Sequence, residues 1–177
     1  MEQIKNLITA LQKCIPDMDA TPLYASLPVD KESDSVLEWL YEHLEAQNLM
    51  VYEEWKEYGG DIPTLKPLAN LSLPEKPAEY IFTLIEKIDW STASIDPFLL
   101  PYVMPWLEHI NFYLKPQGIR LVDLMPAENA YIICVRDDED SLDELHSCLE
   151  AFDLGINERS MLDKQEVAVA IESSISE

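Results

Sequence analysis

Basic residues are scarce in this sequence. Twelve Lys and Arg stand against thirty-four Asp and Glu, a formal net charge of −22 at pH 7, where a small soluble domain carries a magnitude of about 2–8. Such a surface repels phosphate backbones and anionic lipid, which argues against nucleic acid and membrane as direct partners. Two readings of the charge stay open. One is a protein kept soluble by its acids; the other is a protein whose partner is basic, drawn in by attraction that weakens with salt.

Glycine is almost as rare: four residues against twelve prolines. That balance argues against a β-sandwich or a glycine-rich phosphate loop and for helices punctuated by proline. The three cysteines, Cys14, Cys134 and Cys148, are odd in number and widely spaced within apolar patterns. They read as buried free thiols in a reducing compartment. The start Met1-Glu2-Gln3 carries no basic region followed by an apolar core, and the longest weakly charged run, 97–107, is short and broken by proline. A cytoplasmic protein is expected.

Reaction motifs are missing as well. The sequence contains no GxSxG, P-loop, GxGxxG or HExxH pattern, and no cysteine pair with zinc or redox spacing. His43, His109 and His146 fall on separate predicted helices. Cys148 and His146, two residues apart on one helix, point away from each other. Neither catalytic residues, a metal site nor a cofactor is expected, and the chain reads as a protein other than an enzyme.

What is present centres on residues 117–155. An apolar run through Ile119, Leu121, Val122 and Leu124 and the β-prone run from Tyr131 to Val135 flank a turn at Pro126, predicting strands over 118–125 and 130–136. Ser141 and Glu144 form a capping box for a helix over 141–154, with Leu142, Leu145, Leu149 and Phe152 on one face and Gly155 as its C′ residue. Asp137, Asp138, Glu139 and Asp140 precede that helix, where acids suit the positive end of the dipole. They lack the ligand spacing of an EF-hand loop, and whether they hold a cation stays open.

Helical periodicity dominates elsewhere. Ile4, Leu7, Ile8 and Leu11 predict a helix over 2–14; Leu37, Leu40, Tyr41 and Leu44 predict another running to about Asn48, started by a Ser35–Glu38 capping box or by Ser33. A short helix over 64–71 and one over 78–89 are expected, the latter burying Ile81, Leu84, Ile85 and Ile88. Asp96-Pro97 starts a turn of helix over 97–103, and a second helix begins at Pro105, with Trp106, Ile110 and Tyr113 inward. His109 beside Glu108 reads as a local charge pair. Residues 163–172 fit a helix or a strand, with helix preferred, and 172–177 read as a frayed tail.

The stretch with most to offer recognition is LMVYEEWKEYGGD, residues 49–61. Tyr52, Trp55 and Tyr58 interleave with Glu53, Glu54 and Glu57, the composition expected where an interface meets a basic partner. The near-helical spacing of the rings favours the alternative, in which Trp55 packs onto the domain and the acids face water.

The segment Val51-Tyr52-Glu53-Glu54-Trp55-Lys56-Glu57 and the closing unit from Gly118 through Tyr131-Ile132-Ile133 to Leu154-Gly155-Ile156 together resemble a bacterial family of small acidic domains of unknown function. The resemblance covers about a third of the chain and brings no catalytic residues. It implies a cytoplasmic protein and, for some similar proteins, a role as an immunity factor.

The expected fold is α+β, one domain over 1–177. A helical part over about 1–115 packs on a small antiparallel sheet in the hairpin-plus-helix unit over about 117–156, followed by a C-terminal segment over 157–177. A two-stranded hairpin needs cover or another strand, and 49–53 or 167–171 are the candidates. The expected function is a non-catalytic protein-binding module, an immunity or inhibitor protein for a basic partner. The alternatives are a scaffold with no charge-driven partner and a carboxylate-rich metal-dependent hydrolase.

Overall fold

The computed structural model describes residues 1–176. They form an α+β fold in which helices cover both faces of one antiparallel sheet. The strands are β1 (Met50–Glu53), β2 (Ile119–Met125), β3 (Ala130–Arg136) and β4 (Gly155–Asn157), in the order β1-β3-β2-β4. The predicted hairpin is β2 and β3, paired with Leu121 opposite Cys134 and Val122 opposite Ile133. Of the two candidates for a further strand, 49–53 supplies β1.

The α-helices are α1 (Glu2–Cys14), α2 (Thr21–Ala25), α3 (Ser33–Glu45), α4 (Pro77–Glu86), α5 (Leu100–Val103), α6 (Trp106–Leu114), α7 (Glu139–Glu150) and α8 (Lys164–Ser176). Among the described residues no helix is long and apolar enough to cross a membrane.

Alternation along the strands divides the core in two. Met50, Val122, Leu124, Ile133, Val135 and Ile156 face α1, α3 and α7, whose stripes supply Leu7, Leu11, Leu40, Leu44, Leu145 and Leu149. Leu121, Ala130, Ile132 and Cys134 face α6 and α8, with Trp106, Leu107, Ile110, Val167 and Ile171. The run Ile132-Ile133-Cys134-Val135 is wholly buried, because a sheet covered on both sides needs apolar residues at successive positions. Burial also holds Cys14 up at about 11 and Cys134 up at about 12, so both remain thiols at neutral pH.

The shortage of glycine is met at two helix ends by other residues. Asn48 (φ 57°) and Asp153 (φ 57°) take the left-handed conformation, and the N–H groups of Leu49 and Leu154 reach back to the carbonyls of Leu44 and Leu149. These are Schellman caps, and each launches an edge strand, β1 and β4. The helix expected over 141–154 therefore stops at Glu150, and Gly155 is the first residue of β4 rather than a cap. A Cβ on Gly155 would lie 2.8 Å from His146 Cε1, whose ring stays close because Nδ1 accepts the Ile156 N–H at 3.0 Å.

Several boundaries differ from expectation for local reasons. Asp138 caps α7 by accepting the Ser141 N–H, so the helix starts before the Ser141–Glu144 box. Neither Ser33 nor Ser35 caps α3, which starts at Ser33 with no side-chain cap; Asp30 instead accepts the Glu32 N–H in the preceding turn. The helix expected over 64–71 is one 3-10 turn, Lys66–Leu68. Of the expected 78–89 stripe, Ile81 is buried while Leu84, Ile85 and Ile88 are half-buried. The Asp96 cap and the break before α6 occur as expected. Residues 164–176 are helix, which removes the 167–171 strand and the frayed tail as far as Ser176. His109 is no surface pair of Glu108: its buried ring hydrogen-bonds the Leu162 carbonyl at 2.9 Å, and burial lowers its pKa.

β4 is only three residues long and runs beside Asp123, Leu124 and Met125. Beyond it, the buried amide of Asn111 on α6 takes both backbone groups of Leu121, accepting its N–H at 2.6 Å and donating to its carbonyl at 2.9 Å. One side chain stands in for a missing strand residue. Asn111→Leu strands both groups in a dry site and is expected to cost about 2–4 kcal/mol. Urea denaturation reads this as a lowered midpoint at unchanged slope; an unchanged midpoint contradicts the role.

Candidate protein-binding surface

Strand alternation divides the acid-and-aromatic stretch between the two faces of the sheet. Tyr52 points to the α3 side. It stands opposite Tyr131 in the β1–β3 register, with ring centroids 5.2 Å apart and planes at 63°. Tyr41 of α3 meets Tyr131 in turn at 5.6 Å and 79°. Both are edge-to-face contacts, the arrangement that ring quadrupoles favour. Asn129, in the β2–β3 turn, fixes the outer end by donating to the Tyr52 hydroxyl at 2.9 Å and accepting the Trp55 N–H at 3.2 Å. The Tyr52 side of the cluster is open, at 40% exposure.

Acids line this cluster because of helical spacing. Asp34, Glu38, Tyr41 and Glu45 lie at i, i+4, i+7 and i+11 on α3, next to the buried stripe Val36, Leu40 and Leu44. All three acids are exposed. Burial, then the Tyr52 and Tyr41 hydroxyls, then Asp34 and Glu38 raise the Tyr131 phenol above its ordinary value. The tyrosine surface thus sits in the field of the α3 carboxylates.

The remaining members of the stretch go elsewhere. Trp55 is half-buried on the other side of the sheet and carries the Arg159 guanidinium, whose Cζ lies 5.1 Å from the ring centroid. Arg159 donates Nε to Asp123 Oδ1 at 2.8 Å and Nη1 to Glu108 Oε1 at 3.1 Å. Tyr58 is buried, donates its hydroxyl to the Asp61 carbonyl at 2.6 Å, and packs edge-on against Trp55 and Trp106. Glu53 is half-buried with its pKa raised by burial and then by Asp61. Glu54 is half-buried and Glu57 exposed. Of the six residues singled out in the sequence, Tyr52 joins the surface cluster, while Trp55 and Tyr58 build the inside. Tyr41, Tyr131, Asp34 and Glu38 were missed; the i, i+4, i+7 spacing within α3 was the signal available for three of them.

The three arginines are all engaged within the fold. Arg159 is held as described. Arg120 pairs with Asp137 at 2.9 Å and lies 3.6 Å from Glu139. Arg136 donates to the Lys13 carbonyl at the end of α1. Of the acids before α7, Asp137 and Glu139 thus face Arg120 and Asp138 is the cap, with Asp140 exposed. Glu139, Asp143 and Glu158 place carboxylate oxygens within 4.8 Å of one another, all in open solvent.

A second exposed feature is apolar. Phe98 (86% exposed), Leu99, Tyr102 and Val103 project from the short helical turns over 97–103. Nearby, the loop after α4 touches α8 through Ser94 N–H to the Ile175 carbonyl, beside a groove of about 410 Å³ lined by Leu84, Ile88, Ile171 and Ile175. No family model, curated protein or solved structure matches the chain.

The Arg159 hub also supports the Tyr52 end of the sheet, since Trp55 follows β1 directly. Arg159→Met leaves two largely buried carboxylates without their cation, for an expected loss of about 3–5 kcal/mol. Adding Asp123→Leu removes one of those charges, and the double variant is expected to regain part of the loss. A double variant no more stable than Arg159→Met in urea contradicts the pairing.

Proposed function

We propose that this chain is a non-catalytic binding module for a basic protein, acting as an immunity or inhibitor protein. The observation that carries the reading is the tyrosine cluster Tyr41–Tyr52–Tyr131 beside the exposed carboxylates Asp34, Glu38 and Glu45. Rings of this size supply contact area at low conformational cost, and acids around them select a cationic partner and speed its approach. The wider charge acts in the same sense. With a net charge of −22 and its arginines engaged internally, the molecule presents a field that a basic protein enters and an acidic one avoids. The immunity or inhibitor role is taken from the family resemblance, and the chemistry of binding from this surface.

A second reading rests on the uncharged projection Phe98, Leu99, Tyr102 and Val103, a patch that suits a scaffold associating through apolar contact. Salt separates the two. Attraction between surface charges is screened beyond about 8–10 Å at physiological salt, whereas apolar contact is not.

Capture from native cell extract at low and high salt, read by mass spectrometry, tests the proposal. A basic protein retained at low salt and released at high salt is expected. Glu38→Lys with Glu45→Lys, which spares Asp34 in the first turn of α3, is expected to weaken that capture at least about 10-fold with the melting temperature little changed. Equal capture by the variant, or retention that ignores salt, contradicts the proposal.

A further inference from the structure

Two places in this fold, one largely buried and one at the surface, show how the chain holds a cation against an aromatic ring. At the first, Arg159 lies 5.1 Å over Trp55 and donates to two carboxylates, Asp123 and Glu108. At the second, Lys164 lies 5.1 Å over Tyr80 and meets one carboxylate, Glu75, at 2.6 Å. The difference follows from the cations. A guanidinium is a flat fork of five N–H donors that stacks on a ring while its edge serves two acceptors; an ammonium is a compact point charge. A ring with two carboxylates beside it therefore suits arginine, and a ring with one suits lysine.

The tyrosine surface carries the same kinds of group on the outside, with Tyr41 of α3 linked to Tyr52 through Tyr131. Asp34 and Glu38 lie one helical turn apart on α3, in line with Tyr41, and Tyr52 presents the most exposed ring of the three. Among the described residues neither acid takes part in an ion pair, and no lysine or arginine of the chain lies over these rings. Asn129 holds the Tyr52 hydroxyl from the turn, so the ring is positioned in advance and loses little freedom when something stacks on it.

We propose that this surface is an arginine-anchoring site: the basic partner inserts an arginine that stacks on Tyr52 while its N–H groups reach the carboxylates of Asp34 and Glu38. The inference rests on the binding-module reading and names the partner's anchoring residue. A polylysine surface of equal charge is attracted by the same field but lacks the flat donor edge that the ring and two acids match. A cation over an exposed ring gains about 2- to 5-fold in affinity for each such contact, and the guanidinium adds the two-acceptor donor edge that an ammonium lacks.

The test uses labelled arginine and lysine nonapeptides of equal charge, titrated into the full chain at one ionic strength by fluorescence anisotropy. The wild-type protein is expected to bind the arginine peptide at least about 2-fold more tightly. Tyr52→Leu is expected to abolish that preference, weakening the arginine peptide more than the lysine peptide, and Tyr52→Phe, which keeps the ring, is expected to retain it. Equal affinity for the two peptides, or a preference that survives Tyr52→Leu, overturns the arginine anchor and leaves the basic-partner reading standing. Binding of neither peptide overturns both.

Discussion

The fold depends on a sheet whose central strands are covered by helices on both faces. Helices α1, α3 and α7 cover one face and α6 and α8 the other, so β2 and β3 lie in an apolar setting on both sides of the ladder. A polar group there must bring its own partner or cost free energy. Two side chains answer that demand. Asn111 completes the backbone pairing of Leu121 where β4 ends, and Arg159 meets Asp123, the buried acid of β2. Both come from outside the sheet. They tie α6 and the segment before α8 to the same strand.

That arrangement determines how the surface carries its charge. The arginines serve the interior, the backbone end of α1 and the start of α7, and nine lysines are left to balance thirty-four acids. Exposed carboxylates on α3 then stand beside three tyrosines that the sheet register and helix packing bring together. The combination of aromatic ring and carboxylate occurs twice more in the chain, at Trp55 and, nearer the surface, at Tyr80, where a cation of the chain itself completes it. The grouping that serves stability at Trp55 thus shares its composition with the surface at Tyr52.

Much of the architecture was legible in the sequence, because it rests on local signals. The apolar run 131–135, the turn at Pro126, the Asp96-Pro97 start and the stripe of α1 all lead to elements found where they were expected. What escaped depended on distant parts of the chain. β4 is three residues whose strand character comes from pairing with Asp123, Leu124 and Met125, and no run of three carries that signal. The helix ends were misplaced because Asn48 and Asp153 do the work that glycine usually does. Tyr52, Trp55 and Tyr58 looked like one cluster because they are close in sequence; strand alternation at 52–53 and the turn after it send them to opposite sides. Tyr41 and Tyr131 become neighbours of Tyr52 only once α3 packs over the sheet, so the surface was legible in one residue of the six proposed.

The central claim is that cationic recognition belongs to the tyrosine surface on α3 and β1 rather than to the apolar projection at 97–103. NMR of a chain carrying labelled tyrosine rings, titrated with an arginine nonapeptide, tests it most directly, since eight tyrosines report from separate places. The account predicts that ring signals of Tyr41, Tyr52 and Tyr131 move together and saturate at one concentration while Tyr102 stays in place. Movement of Tyr102 with the other three unmoved would contradict it.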